Sequence, residues 1–199
     1  MSIKNIIFDI GNVIVRWAPL DAIAKVFPEE DPIKFNQLIR PIWIDLNLGK
    51  LSLSEAIQVY QNQFNFPAKQ IEQLMHEFTV SQTPLPGSRE LLQKLNSSGI
   101  PLYSITDNVR EIMEYHHSHS NFLHYFEGIV VSADVGVLKP HEKIYRNLLD
   151  KYELEPAESL FIDDMAVNVK GALAVGIHAF QFEDAQSCEE KLIKLGVKL

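Results

Sequence analysis

Short apolar runs rich in β-branched residues alternate with longer stretches of helical spacing along most of the chain. The first run, Ile3 to Phe8, shows no polar alternation, so it reads as a strand buried on both faces, and it stops at Asp9. Similar runs recur at Leu102 to Ile105, Gly128 to Val131, Ser159 to Ile162 and Ile177 to Phe182. Between them, Ser88 to Leu95 sets Leu91, Leu92 and Leu95 on one helical face, and His141 to Tyr152 does the same with Ile144, Leu148 and Leu149. Strand alternating with helix predicts an α/β fold, a parallel sheet of about five strands with helices on both faces.

Residues 16–83 break that rhythm and read as helices only. Ser52 and Glu55 form a capping-box pair opening a helix with Ala56, Ile57, Val59 and Tyr60, and Pro67 opens another with Ile71, Leu74, Met75 and Phe78. Thr83-Pro84-Leu85-Pro86-Gly87 punctuates the return to the alternating pattern. The expected organisation is a core from residues 1–15 and 84–199 with a helical insert, 16–83, after the first strand.

Length adds that 199 residues suffice for one domain, or for one core carrying a smaller insertion. A formal charge of -8 argues against a nucleic-acid partner, because that surface relies on clustered Lys and Arg. Cys188 is the single cysteine, so neither an internal disulfide nor a cysteine metal cluster can form, and a reducing compartment fits. The apolar opening is interrupted by Asp9, Gly11 and Asn12 and lacks a signal-peptide cleavage pattern, and no stretch approaches the roughly 20 apolar residues of a membrane span. The expectation is a soluble, cytoplasmic protein with no membrane partner, acting as a monomer or homodimer.

In an open parallel sheet, ligands bind beyond the carboxyl ends of the strands. Here the first strand ends in Asp9, the second in Thr106-Asp107-Asn108, the region after the third holds Lys139-Pro140, and the fourth ends in Asp163-Asp164. Three carboxylates in one crevice repel one another unless a cation neutralises them, and hard oxygen donors point to Mg²⁺. Lys139 and the Thr106 hydroxyl would add a cation and a donor suited to a phosphoryl group.

These segments, IIFDIGNV, YSITDN, GVLKP and LFIDDMAVN, resemble in order the four motifs of the haloacid dehalogenase superfamily. FDIGNVIV, GKLSLSEA and FIDDMAVN look most like its small sugar-phosphate phosphatases. The resemblance implies a Rossmann-like core with a helical cap, and Asp9 as nucleophile forming an aspartyl-phosphate. It further implies phosphoryl binding by Thr106 and Asp107, charge compensation by Lys139, and Mg²⁺ held by Asp9, the Gly11 carbonyl, Asp163 and Asp164. The implied partner is a small phosphorylated metabolite, with a sugar phosphate as the leading class.

One position departs from the family pattern. Phosphatases of this superfamily usually carry a second aspartate two residues after the nucleophile as acid/base, and here that residue is Gly11. Three readings follow: hydrolysis with solvent or Asp107 as proton donor, a dehalogenase attacking carbon, or a silent module binding a phosphorylated metabolite. Other residues carry lesser expectations. Asn168, one turn after Asp164, steadies that carboxylate or faces water; His116, His117 and His119 are expected on a solvated helix surface. Trp17, Trp43 and Phe35 either line the pocket or fill the insert's core, and Arg16 and Arg40 are candidate substrate contacts.

Overall fold

A computed structural model describes residues 3–199. In chain order it contains β1 (Asn5–Phe8), α1 (Pro19–Val26), α2 (Pro32–Asn47), α3 (Leu53–Phe64), α4 (Ala68–Val80), α5 (Ser88–Ser97), β2 (Leu102–Thr106) and α6 (Arg110–His119). There follow β3 (Gly128–Val131), α7 (Ser132–Val135), α8 (Glu142–Tyr152), β4 (Ser159–Asp163), α9 (Ala166–Ala174), β5 (His178–Gln181) and α10 (Ala185–Lys194). The strands form one parallel sheet in the order β3-β2-β1-β4-β5, so the fold is α/β as the alternating pattern predicts.

Alternate residues of each strand bury against opposite layers. Ile6 and Phe8 of β1 join Leu92 and Leu95 of α5 and Leu192 of α10, whereas Ile7 packs with Ile144 and Leu148 of α8 and Ala172 of α9. Burial on both faces explains why these strands read as unbroken apolar runs. Thr106 and Asp163 extend β2 and β4 by one residue each past the apolar runs, because both still pair with the neighbouring strand.

Four helices, α1 to α4, separate β1 from the rest of the sheet and bury their own apolar cluster, including Ile23, Phe35, Ile39, Tyr60, Leu74 and Phe78. Ser52 caps α3 with the reciprocal Glu55 bond expected of its sequence. Val109 and Ile112, which follow β2, reach into this cluster and seat it over the carboxyl edge of the sheet. The chain leaves for the helices and returns from them side by side: Arg16 N–H donates to the Thr83 carbonyl at 2.8 Å and Leu85 N–H to that of Ile14 at 2.9 Å. A close approach seats the other end. Gly49 has a φ of +64°, and a Cβ there would come within 2.0 Å of the Ala133 carbonyl oxygen.

His116 corrects the expectation of a solvated surface. Its face of α6 is the one bearing Ile112 and Met113, so the ring is fully buried, with Nε2 2.9 Å from Gln82 Oε1 and Nδ1 2.7 Å from Ser120 Oγ. Gln82 donates its amide to the Phe78 carbonyl, so Oε1 faces the ring and Nε2 carries the proton. Burial pushes this imidazole down from 6.5 to about 4. A base that stays neutral when folded contributes stability that is complete above pH 6.5 and is lost as pH falls through about 4. The unfolding free energy is expected to fall across that window, and His116→Gln should flatten the fall; denaturant titrations near pH 7 and about pH 4.5 measure both.

Candidate active site

The parallel register brings distant residues level. Phe8 pairs with Ser104 on one side and Ile162 on the other, so Asp9, Thr106 and Asp163 leave the sheet along one edge. Lys139 arrives from the loop after α7. Its side chain is 1% exposed, and its ammonium lies 2.8 Å from Asp9 Oδ1 and 2.7 Å from Asp163 Oδ2, with a further bond of 3.3 Å to the Ile105 carbonyl. The sequence-predicted residues Asp9, Gly11, Thr106, Asp107, Lys139 and Asp164 line one cavity of about 300 Å³, with Asp163 buried behind it.

The two acidic residues after β4 have different surroundings. Asp163 Oδ1 accepts from Met165 N–H at 2.8 Å and Asn168 Nδ2 at 3.0 Å, while Oδ2 accepts from Lys139 and from Asn168 Nδ2 at 3.1 Å. These contacts fill the roughly four acceptor directions of a carboxylate. Asn168 therefore steadies Asp163, the carboxylate before the one its spacing suggested. Asp164 is only partly buried and faces the cavity. Asp9 is divided: Oδ1 takes the Ile10 amide at 2.7 Å and Lys139, while Oδ2 has no hydrogen-bond partner among the described residues.

One buried ammonium thus faces two buried carboxylates, with a third beside them. Burial pushes the Asp9 carboxyl up to about 7; Lys139 opposes the rise and Asp163 adds to it. Asp164 is raised by burial and by Asp163, against Lys139 and a hydrogen bond from Asn12. Burial alone would pull the Lys139 ammonium down, but Asp9, Asp163 and Asp107 together hold it well above its usual range, so it stays charged. The surplus negative charge and the oxygens of Asp9, Asp163 and Asp164, within 4.8 Å of one another, suit a hard divalent cation such as Mg²⁺. Of the residues lining the cavity, Asp9, Asp164 and the Gly11 backbone carry oxygens that could hold it.

At the end of β2, Thr106 is 1% exposed, and its hydroxyl has no hydrogen-bond partner among the described residues. Asp107 accepts the Lys139 amide on Oδ1 at 3.1 Å, and burial raises its carboxyl against the opposing charge of Lys139. Gly11 leaves open space: an added Cβ would meet only Trp17 Cβ, at 3.8 Å. Trp17 and Trp43 stack at 5.4 Å and 14° and line the cavity together with Arg40. Phe35 instead packs with Phe27 and Phe66 inside the helical cluster, and Arg16 is engaged by Asp21.

Ser132 joins the site although no motif in the sequence singles it out. Its hydroxyl donates to the Asn47 carbonyl at 2.7 Å and accepts the Asn108 amide at 3.0 Å, tying α2 to the loop that follows Thr106 and carries Asp107. As the first residue after the third apolar run, it obeys the same strand-end rule that selects Asp9 and Thr106.

Residues 6–182 match the family model of haloacid dehalogenase-like hydrolases. The chain is 25% identical to a sesquiterpene phosphatase of Aspergillus oryzae over 92% of each chain. It is likewise 25% identical to flavin mononucleotide hydrolase 1 of Arabidopsis thaliana, over 98% of this chain and 78% of that one. Among solved structures, a haloacid dehalogenase family enzyme of Bacteroides thetaiotaomicron superposes with a TM-score of 0.80 at 18% identity, covering 96% of this chain and 99% of the other. The same enzyme has been solved with magnesium and inorganic phosphate, at a TM-score of 0.76 and 19% identity, covering 92% and 96% of the two chains.

Removing Lys139 would leave Asp9 and Asp163 buried with no cation between them. Lys139→Met is expected to cost about 3–5 kcal/mol of stability in metal-free buffer, measured by urea unfolding. A loss below about 1 kcal/mol, the worth of an exposed pair, would show that the ion pairs are not buried in solution.

Proposed function

The chain belongs to the haloacid dehalogenase-like hydrolases, and we propose that within this family it hydrolyses a small phosphomonoester through a phosphoryl group carried on Asp9. The observation that carries the reading is Asp9 itself. One oxygen is fixed by Lys139 and the Ile10 amide, the other has no hydrogen-bond partner among the described residues, and the residue lines a cavity too small for a macromolecule. Fixing one oxygen orients the second for attack, which is the positioning part of nucleophilic catalysis.

In this reading Asp9 Oδ2 attacks phosphorus and the bond to the leaving-group oxygen breaks. Thr106 Oγ1 donates to a phosphoryl oxygen, and the Lys139 ammonium offsets charge gathering on the nucleophile and phosphoryl group. Asp9, Asp164 and the Gly11 carbonyl would hold Mg²⁺, which supplies Lewis-acid polarisation of the phosphoryl group. Asp163, with its acceptor directions filled, acts as a positioning residue that holds the Lys139 ammonium in line with Asp9. The four helices act as a cap that closes the cavity from the other side. The dehalogenase alternative leaves Asp164 and the surplus of carboxylates without a role.

Gly11 offers no proton. Of the carboxyl groups lining the cavity, Asp9 is the attacking group and Asp164 a ligand, which leaves Asp107 to protonate the leaving oxygen and then draw a proton from the water that hydrolyses phosphoryl-Asp9. Its raised affinity for a proton supports that role. A sugar phosphate is the leading substrate class, because a cavity of about 300 Å³ lies at the small end of ligand pockets, roughly 300–1,000 Å³.

Asp9→Asn should abolish phosphate release from every ester while leaving the circular dichroism and melting profile of a folded protein, and excess chelator should silence the native protein until Mg²⁺ is restored. Full turnover by Asp9→Asn, or by the chelated protein, removes the nucleophile or the metal from the scheme. Asp107→Asn should lower kcat by about 10²–10⁴ for an alkyl phosphate but far less for p-nitrophenyl phosphate, whose leaving group needs no proton. Equal losses on the two esters would point to a binding defect instead.

A further inference from the structure

Arg40 stands out by what it lacks. The chain carries a net charge of -8, and three of the other four arginines find carboxylates: Arg16 meets Asp21, Arg110 meets Asp134 and Arg146 meets Glu142, while Arg89 lies against the Asn121 amide. Arg40 makes no ion pair and no side-chain hydrogen bond among the described residues, yet it lines the cavity that holds Asp9. Arg40 is exposed at the cavity's rim, so its donors meet water and no protein acceptor among the described residues, and in a chain with acidic groups to spare that leaves it open to an anion supplied from outside.

The rest of that wall agrees. From the helical side the cavity is lined by Trp17, Arg40, Trp43, Ile44, Asn47 and Gln82, with no carboxylate among them. Asn47 and Gln82 commit their amide nitrogens to the carbonyls of Trp43 and Phe78. The acidic residues lining the cavity, Asp9, Asp107 and Asp164, stand on the sheet side, where the phosphoryl group and the metal already have their partners. The two sides are therefore polarised: chemistry on the sheet edge, and across from it a cation, unpaired among the described residues, beside a flat indole pair.

We propose that the substrate is a small phosphomonoester whose leaving group carries a second oxyanion, a carboxylate or another phosphate, received by the Arg40 guanidinium. The proposal rests on the phosphomonoesterase reading above and narrows its substrate class from sugar phosphates in general to acid-bearing ones. The fork of a guanidinium pairs two parallel N–H bonds with a planar or tetrahedral oxyanion. Because Arg40 belongs to a helix that closes over the sheet, the second anion also links substrate recognition to the closed arrangement.

Three esters of matched size test it: ethylene glycol monophosphate, phosphoglycolate and ethylene glycol bisphosphate. With Mg²⁺ present, kcat/KM of the native protein should favour one or both doubly anionic esters. Arg40→Ala should shrink that preference about ten- to a hundredfold, mainly through KM, and Arg40→Lys should keep part of it. Preference for phosphoglycolate alone identifies a carboxylate; preference for the bisphosphate alone identifies a second phosphate. Equal turnover of all three esters, or a ratio unmoved in Arg40→Ala, overturns the proposal and leaves the phosphatase reading standing. Calorimetric binding of the same esters to Asp9→Asn, with and without Arg40→Ala, covers the converse. Binding that depends on the second anion and on Arg40, without phosphate release by the native protein, keeps this inference and removes hydrolysis.

Discussion

The site is organised by one ammonium group lodged between two buried carboxylates. Lys139 holds Asp9 and Asp163 at ion-pair distance across two neighbouring strand ends, and each partner would be costly without the others. That mutual dependence fixes the loop after α7 against β1 and β4, and it commits Oδ1 of Asp9 to Lys139 and the Ile10 amide. The backbone and Asn168 bonds to Asp163 extend the same constraint into α9, so the lysine is held from both sides by groups that have no freedom to follow it.

The arrangement leaves its own charge incomplete. A single positive charge cannot balance the acidic groups gathered there, and burial drives the Asp9 carboxyl toward neutrality as long as nothing else arrives. A dication and a phosphate ester together bring the missing positive and negative charge into the same space. Under the hydrolysis proposed above, affinity for one would be linked to the presence of the other, and the carboxylate would regain its charge in the complex in which it attacks.

Much of this was legible in the amino-acid sequence, for a definite reason. Strands buried on both faces betray themselves as unbroken apolar runs, and the first polar residue after each run marks the sheet edge where ligands gather. Asp9, Thr106 and Asp163 are found that way, and the Ser52–Glu55 pair marks the start of α3 because a capping box is purely local. What stayed hidden depends on neighbours far along the chain. His116 looks like one of three exposed histidines until Gln82 closes on it from the end of the helical insert. Arg16 and Arg40 are equivalent as letters, and only the folded chain gives Asp21 to one and, among the described residues, no acidic partner to the other. The division of labour between Asp163 and Asp164 likewise follows from which way each leaves the strand, a matter of a single peptide step. The order of strands in the sheet has no local signature at all.

The paired crossings at Ile14–Arg16 and Thr83–Leu85 carry a consequence for how such a protein can change. From the standpoint of the sheet, the four helices amount to one long detour that begins and ends at the same doorstep, since Val15 and Pro84 are themselves bridged. Closure entropy grows only slowly with the length of a detour, so its contents are nearly free to vary as long as the doorstep is kept. One set of helices can be exchanged for another, with a new wall facing the cavity, while Lys139 and its two carboxylates feel no difference. In the proposed reading, the machinery that breaks the bond and the surface that selects the molecule could thereby change separately.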